Sequence, residues 1–172
     1  MPKIEELVKV KQFASPWHRA TINIIYTNNW LNVMLEKRAN AKQITLQQFN
    51  VLRVLRGQYP NPVTNNLLKE RLLTKTPDIS RLVDRIVSKG LVSREKNSVD
   101  KRAVDLLITD KGLELLEEIE TDMMLDDVLP ENITAEDCFK LSELLDKFRG
   151  LMNDERRKPG RRRRATAPAA GG

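Results

Sequence analysis

The chain has 172 residues, enough for one domain of ordinary size with room for a tail. Apolar side chains make up 40 %, charged ones 31 % and aromatics 5 %, a helix-rich composition that excludes collagen, disulfide scaffolds and membrane bundles. The net charge of +6 is unevenly spread: Lys and Arg outnumber Asp and Glu by seven to three over 1–44, twelve to six over 45–109 and seven to two over 153–172, but fall behind by four to thirteen over 110–152. A basic middle followed by an acidic third suits a middle segment that meets a polyanion and a later one that does not.

Residues 1–14 read as an N-terminal extension, with Lys3, Glu5, Glu6, Lys9 and Lys11 where a secretory peptide would need an apolar run. The longest uncharged stretch, Ala20 to Leu35, is broken by Asn23, Asn28, Asn29 and Asn32, so no membrane span is expected and the chain reads as cytoplasmic. Ser15-Pro16 is an N-cap and first-turn pair that opens a helix through Trp17, Ile24, Leu31 and Leu35 to about Arg38. Ile22, Ile25, Trp30 and Val33 widen its apolar stripe beyond one contact, as in a helix that touches both its own core and a partner. Thr45 with Gln48 is a capping-box pattern, and Phe49, Leu52 and Leu55 carry a second helix to Tyr59 before Pro60-Asn61-Pro62 stops it.

Thr64 starts a short third helix with Leu67 and Leu68 inward. Thr76-Pro77 repeats the cap-plus-proline signal for a fourth, with Ile79, Leu82, Val83 and Ile86 on one buried face and Gly90 at its end. Two short helices joined by a tight connection outline a helix-turn-helix. Leu91 to Lys96 and Ala103 to Ile108 then read as strands around a polar tip at 97–102, with Val104, Leu106 and Ile108 inward. The expected fold is mainly α with a small β-hairpin wing: a winged helix-turn-helix core flanked by dimerisation helices. Thr109 caps the next helix, whose Leu115, Ile119 and Met123 are spaced by four and which Leu129-Pro130 ends. A last helix from about Ala135 carries a seam of Leu141, Leu144, Leu145, Phe148, Leu151 and Met152. One protomer has too little core for all these stripes, which predicts a homodimer.

On the fourth helix a 100° step per residue sets Pro77, Arg81, Asp84 and Ser88 opposite the buried face, with Arg85 to one side. Arg81 and Arg85 are a like-charge pair four residues apart, unfavourable by a few tenths of a kcal/mol unless an anion relieves it. Asp78 and Asp84 offer intrahelical ion pairs as the alternative. Ion pairing is expected for Arg85, and contact with a base edge or phosphate for Arg81, near the helix end that enters a groove. At the hairpin tip Asp100, Lys101 and Arg102 put two cations beside one carboxylate, where an arginine can enter a narrow minor groove rather than merely decorate a turn.

Thr76-Pro77-Asp78-Ile79-Ser80-Arg81-Leu82-Val83-Asp84-Arg85, the Lys89-Gly90-Leu91-Val92 turn, Asp100-Lys101-Arg102 and Leu107-Ile108-Thr109-Asp110-Lys111-Gly112 together resemble the signature of the multiple-antibiotic-resistance-regulator (MarR) family. The resemblance runs from about residue 15 to 152. It implies a homodimeric regulator of transcription, usually a repressor, binding a palindrome in double-stranded DNA. By motif position Arg102 is the minor-groove arginine, Asp100 the carboxylate that holds it, and Asp84 and Arg85 part of a network between recognition helix and wing. The candidate DNA-binding residues are Lys75, Thr76, Pro77, Ser80, Arg81, Arg85, Asp100, Lys101 and Arg102. The implied segments are dimerisation helices over 15–44 and 110–152, a winged helix-turn-helix DNA-binding region over 45–109 and a disordered basic tail over 153–172.

Members similar to aromatic-acid sensors hold a small aromatic effector between the winged domain and the dimerisation helices, where Trp17, His18, Arg19 and Trp30 are the candidates. Large aromatics on apolar helix faces usually pack, so Trp17 and Trp30 read first as core or interface residues, and His18 as a capping or surface residue. The peroxide-sensing branch places its cysteine in the first helix, unlike Cys138, and the zinc-sensing branch needs several histidines where this chain has one. No metal, cofactor or catalytic activity is expected. The rival reading is a winged-helix dimer serving as a protein-interaction or nucleic-acid-packaging module through its basic tail. An enzyme built on Cys138 would require His18 beside it.

Overall fold

A computed structural model describes residues 2–72, 78–97 and 101–150. In chain order the elements are α1 (Ile4–Leu7), α2 (Pro16–Ala41), α3 (Leu46–Arg56), β1 (Val63–Thr64), α4 (Asn65–Arg71), α5 (Ile79–Ser88), β2 (Val92–Lys96), β3 (Val104–Ile108), α6 (Asp110–Met124), α7 (Leu129–Asn132) and α8 (Ala135–Arg149). They fall into two compact units, Met1–Asp126 and Asp127–Gly172. Among the described residues no helix is long and apolar enough to cross a membrane.

Side-chain oxygens that accept the otherwise orphaned first-turn N–H groups set most of the helix starts. Ser15 Oγ accepts from the His18 N–H at 3.1 Å, and Pro16 follows at the first helical position. The helix so begun runs to Ala41, three residues past the expected Arg38. Thr45 and Gln48 form the expected capping box, with Gln48 N–H donating to Thr45 Oγ1 at 3.2 Å and Thr45 N–H to Gln48 Oε1 at 3.1 Å. Thr64 and Thr109 cap α4 and α6 in the same way. The start of α5 corrects the sequence reading: Asp78 is the cap, its carboxylate accepting from the Arg81 N–H at 3.1 Å, and the helix begins at Ile79. The proposed cap Thr76-Pro77 lies outside the described residues. Gly90, at φ +72, closes α5 in the left-handed conformation that glycine adopts without steric cost.

The hairpin is in register from Val92↔Ile108 to Lys96↔Val104, and a short strand not expected from the sequence, β1, pairs Val63↔Leu106 and Thr64↔Asp105 on the other side of β3. The sheet order is β1-β3-β2, antiparallel throughout. Beneath it lies one core in which Leu52, Leu55, Leu68, Ile86, Leu106 and Leu116 are fully buried. On α5 the buried residues are Ile79, Leu82, Val83 and Ile86, as the periodicity requires. On α6 they are Gly112, Leu116, Ile119 and Met123; Leu115, expected inward, is only partly covered because the stripe starts from Gly112. A Cβ at Gly112 would lie 2.3 Å from the Leu91 carbonyl oxygen, so glycine lets the start of α6 press against the turn into β2.

The helix after Thr109 also ends earlier than Leu129-Pro130. Leu125 at φ 61 closes it after Met124, and Leu129 and Pro130 begin the separate turn α7. Residues 1–14 are more than an extension: α1 buries Ile4, and Arg19 of α2 donates to Glu5 Oε1 at 2.6 Å. In the second unit, Thr134 caps α8 through the Asp137 N–H at 3.2 Å, and α8 has no buried residue.

Candidate nucleic-acid interface

Burial of one face of α5 against the core turns the opposite face to solvent, and Ser80, Arg81, Asp84 and Arg85 are all exposed there. The Arg81 side chain is 82 % exposed and its Nε stands 3.0 Å from Asp78 Oδ2, so the capping carboxylate also steadies the guanidinium without covering it. Asp84 does not pair within α5; it accepts from Arg94 of β2 at 2.6 Å. That bond joins the helix to the first strand of the hairpin. With Asp78 and Asp84 both committed elsewhere, Arg85 has no ion pair among the described residues, contrary to the expectation of an intrahelical one. Asp78 thus relieves part of the repulsion from the Arg81 side, and Arg85 is the member of the pair left for an external anion.

The hairpin extends this face. Asn97 braces its end by donating from Nδ2 to Asp105 Oδ1 at 2.8 Å, and its N–H donates to the Ala103 carbonyl at 3.2 Å. Lys101 and Arg102 follow in the turn, both exposed. Arg102 and Lys69 of α4 line one polar cleft of about 350 Å³, beside Asn65 and Asn66. The Asn65 Oδ1 at its wall is buried without a donor among the described residues. Two elements distant in sequence therefore present cations to the same space, a chemistry suited to phosphate oxygens.

Of the sequence-predicted DNA-binding residues, Ser80, Arg81 and Arg85 share the outer face of α5, and Lys101 and Arg102 share the wing. Lys75, Thr76, Pro77 and Asp100 lie outside the described residues. Lys69 and Arg94 were missed by sequence reasoning. Lys69 could have been found as the exposed residue one turn after Asn65, whereas nothing local marks Arg94, whose role depends on where β2 runs.

The effector candidates are all on α2 and none is core. Trp17 is 76 % and Trp30 40 % exposed, which removes the core half of their reading and leaves the interface half. Arg19 is held by Glu5, which its guanidinium keeps below the usual carboxylate range, chiefly through their hydrogen bond. The His18 ring meets Phe13 edge-on, with centroids 5.4 Å apart. Two of the four candidates thus already have partners in the protomer. Among the described residues no group of three or more His, Cys, Asp or Glu side chains is arranged to hold a metal ion.

The model of the MarR family matches residues 42–103, the stretch that holds α3, the helix-turn-helix and the first strand of the wing. No curated protein sequence matches the chain. Among solved structures, the reduced form of MarR from E. coli is 30 % identical, with 80 % of this chain and 98 % of that chain covered at a TM-score of 0.64. A MarR-like transcription regulator from Bacillus cereus is 25 % identical over 78 % and 96 % of the two chains, at a TM-score of 0.68. A mutant E. coli MarR complexed with operator DNA is 27 % identical over 86 % and 99 %, at 0.64. With the winged core matching the family model and nearly all of a 30 % identical relative covered, the chain belongs to the MarR family of winged-helix transcription regulators.

Proposed function

We propose that this protein is a cytoplasmic repressor of transcription that binds a palindromic operator as a homodimer and is released by a small-molecule effector. One observation carries the DNA reading: the exposed face of α5, with Ser80, Arg81 and Arg85, is joined through Asp84 and Arg94 to a hairpin that ends in Lys101 and Arg102. Arg81 reads base edges in the major groove and Arg102, steadied by Asp100, enters the flanking minor groove. Arg85 and Lys69 take phosphates, as do the Lys75 ammonium and the Thr76 hydroxyl; Pro77, which has no N–H to donate, makes only van der Waals contact with the DNA. The relative bound to operator DNA supports this assignment.

The dimer reading rests on apolar surface. Trp17, Ile25, Trp30 and Val33 on α2, and Phe139, Leu144 and Phe148 on α8, are all at least 40 % exposed, more than a lone protomer ordinarily leaves uncovered. Two-fold pairing through the helices of 15–44 and 110–152 would place two recognition helices roughly 34 to 36 Å apart, about one DNA turn. The seven Lys and Arg residues of 153–172 add affinity for any duplex through the phosphate backbone.

Selection of bound duplexes from a random pool tests this. An enriched palindrome with half-sites about one turn apart is expected. A pool without enrichment would establish a packaging module instead, and an enriched site with a single half would remove the dimer.

A further inference from the structure

The first unit carries a second basic feature, built on residues other than those of α5 and the wing. On α3 the buried residues are Gln48, Phe49, Val51, Leu52 and Leu55. A step of about 100° per residue turns Asn50, Arg53, Val54 and Gly57 to the opposite side of the helix. There Arg53, Val54, Gly57 and Gln58 line an open cleft of about 400 Å³ together with Arg71 of α4. Asn50 joins Arg53, Val54 and Arg71 around a smaller recess of about 130 Å³. Guanidinium groups from two helices thus share both spaces, and among the described residues no carboxylate lines either.

Neither arginine is neutralised within the protomer. The Arg71 side chain is exposed and has no ion pair or hydrogen bond among the described residues. Arg53 lies over the Phe49 ring, 5.9 Å from its centroid, a stacking that holds one face of the guanidinium and leaves its in-plane N–H donors open. The charge of Arg53 helps to lower the Glu120 carboxyl, but both Glu120 oxygens already accept from Arg56. Arg53 and Arg71 each stand in the last turn of their helix, where a cation suits the negative helix end. That accounts for each arginine singly, but not for two on one cleft without a carboxylate between them.

We propose that this cleft binds the dianion of a phosphate monoester, its phosphoryl oxygens shared between Arg53 and Arg71 with the Asn50 amide beside them. A carboxylate has a single charge and a pair of oxygens, which one guanidinium fork already satisfies. A phosphoryl group has a third oxygen and close to a second charge at neutral pH, enough for two forks. Val54 is the one apolar side chain on the lining among the described residues, so the organic part of the ester gains little and the phosphoryl group itself is what is recognised. Binding ties the last turn of α4 to the last turn of α3. The site does not depend on α5 being the recognition helix.

Methyl phosphate and dimethyl phosphate, titrated into the full-length protein at constant ionic strength and followed by backbone amide NMR, test the site. At about pH 7.5 the monoester, with a second pKa of about 6, is close to a dianion, whereas the diester carries a single charge. Methyl phosphate should saturate, shift the amides of Asn50, Arg53, Gly57 and Arg71, and bind about tenfold more tightly than dimethyl phosphate, the effect of losing one charge-assisted bond. Arg53→Gln and Arg71→Gln should each weaken methyl phosphate by about tenfold. Because the Arg71 side chain is exposed, Arg71→Gln should keep the wild-type midpoint in urea, a guard against simple misfolding. Bound methyl phosphate should also slow hydrogen exchange at Arg71 and Leu72 severalfold, and unchanged exchange would overturn the tie between the helices. Equal binding of the two esters, or shifts confined to the basic segment 153–172, would overturn the site. A DNA backbone offers related chemistry as a diester. If both variants weaken the selected duplex in phosphate-free buffer and flatten its salt dependence, the occupant is a backbone phosphate and the free monoester is overturned. A wild-type protein that selects no duplex would instead remove the regulator reading and leave the NMR result standing.

Discussion

The helices α5 and α8 both carry apolar residues at three- and four-residue spacing, yet they use them in opposite ways. In α5 the stripe is spent within the protomer, with Ile79, Leu82, Val83 and Ile86 all buried. The longer α8 buries nothing, and Phe139, Leu144 and Phe148 stand 75 %, 61 % and 51 % exposed. The first unit repeats the contrast in α2, where Ala39 is the one buried residue of 26. Periodicity announces that a face will be covered without saying by what. Covering one large apolar side chain gains about 1.5 to 3 kcal/mol, so several left open together are a real drive toward association even after the cost of fixing two molecules to each other.

The sharpest way to break this contrast is to truncate a residue on each face. Ile86→Ala removes a fully buried side chain and should lower the unfolding free energy by about 2 to 5 kcal/mol in urea titration. A change below about 1 kcal/mol would mean that α5 is not seated in the core as described. Leu144→Asp should leave the far-ultraviolet circular dichroism and the folded winged unit as they are, but cost about 2 kcal/mol or more in dimerisation, roughly thirtyfold in the dissociation constant. Sedimentation equilibrium reads this directly. A dimer that persists at unchanged affinity would move the partner surface off α8.

The outer face of α5 sharpens the same comparison from the other side, because what it exposes is charge, in Arg81 and Arg85, rather than apolar area. Arg81→Ala and Arg102→Ala should each weaken binding to the selected duplex by about 1 to 3 kcal/mol, with no effect on unfolding. The two differ in kind. Arg81→Ala should relax base preference in the half-site, while Arg102→Ala should act mainly on A·T-rich flanks, where a narrow minor groove attracts arginine. Wild-type affinity in both variants, measured by fluorescence anisotropy at fixed salt, would sink the interface assignment.

What could be read from the chain beforehand follows the range of the forces involved. The four-residue stripe of α5, the caps at Thr45, Thr64 and Thr109 and the alternation of the hairpin are local, and each appears where its residues predict it. Beta strand β1 is two residues long, too short to alternate, and exists only because Leu106 lies opposite Val63. The start of α5 was misplaced because Thr76, Pro77 and Asp78 all suit a helix start, and only the structure selects the carboxylate of Asp78. Leu115 and Leu116 could not be told apart by spacing, since steps of three and four both keep to one face. The Asp84–Arg94 bond spans ten residues and the Arg56–Glu120 pair sixty-four, and no local pattern reports pairs of that kind.

The Arg56–Glu120 pair supplies the smallest of the expected effects and a test of how the wing-bearing core is tied to α6. Arg56 of α3 donates from Nη1 to Glu120 Oε2 at 2.9 Å and from Nη2 to Oε1 at 2.6 Å, a two-pronged contact at the edge of the core. Its hydrogen bonds hold the Glu120 carboxyl below its ordinary value of 4.5, with the charge of Arg56 acting in the same direction and partial desolvation opposing it. Arg56 is shifted up by the same contact and remains charged throughout. A carboxyl whose folded pKa is depressed contributes stability that is complete above the unfolded value and is lost as pH falls through the lower folded one. Glu120→Gln should therefore reduce stability slightly near neutral pH and flatten the acid limb below about 4.5, so that wild type and variant converge as pH falls through the lowered folded value. Thermal unfolding across that window reads the slope. Parallel curves for the two proteins would mean that the pair forms no differently in the folded and unfolded chains, and that α6 is held to the winged core by its other contacts, such as the packing of Leu116 in the core and the bond from Lys111 Nζ to the Lys89 carbonyl at 2.9 Å.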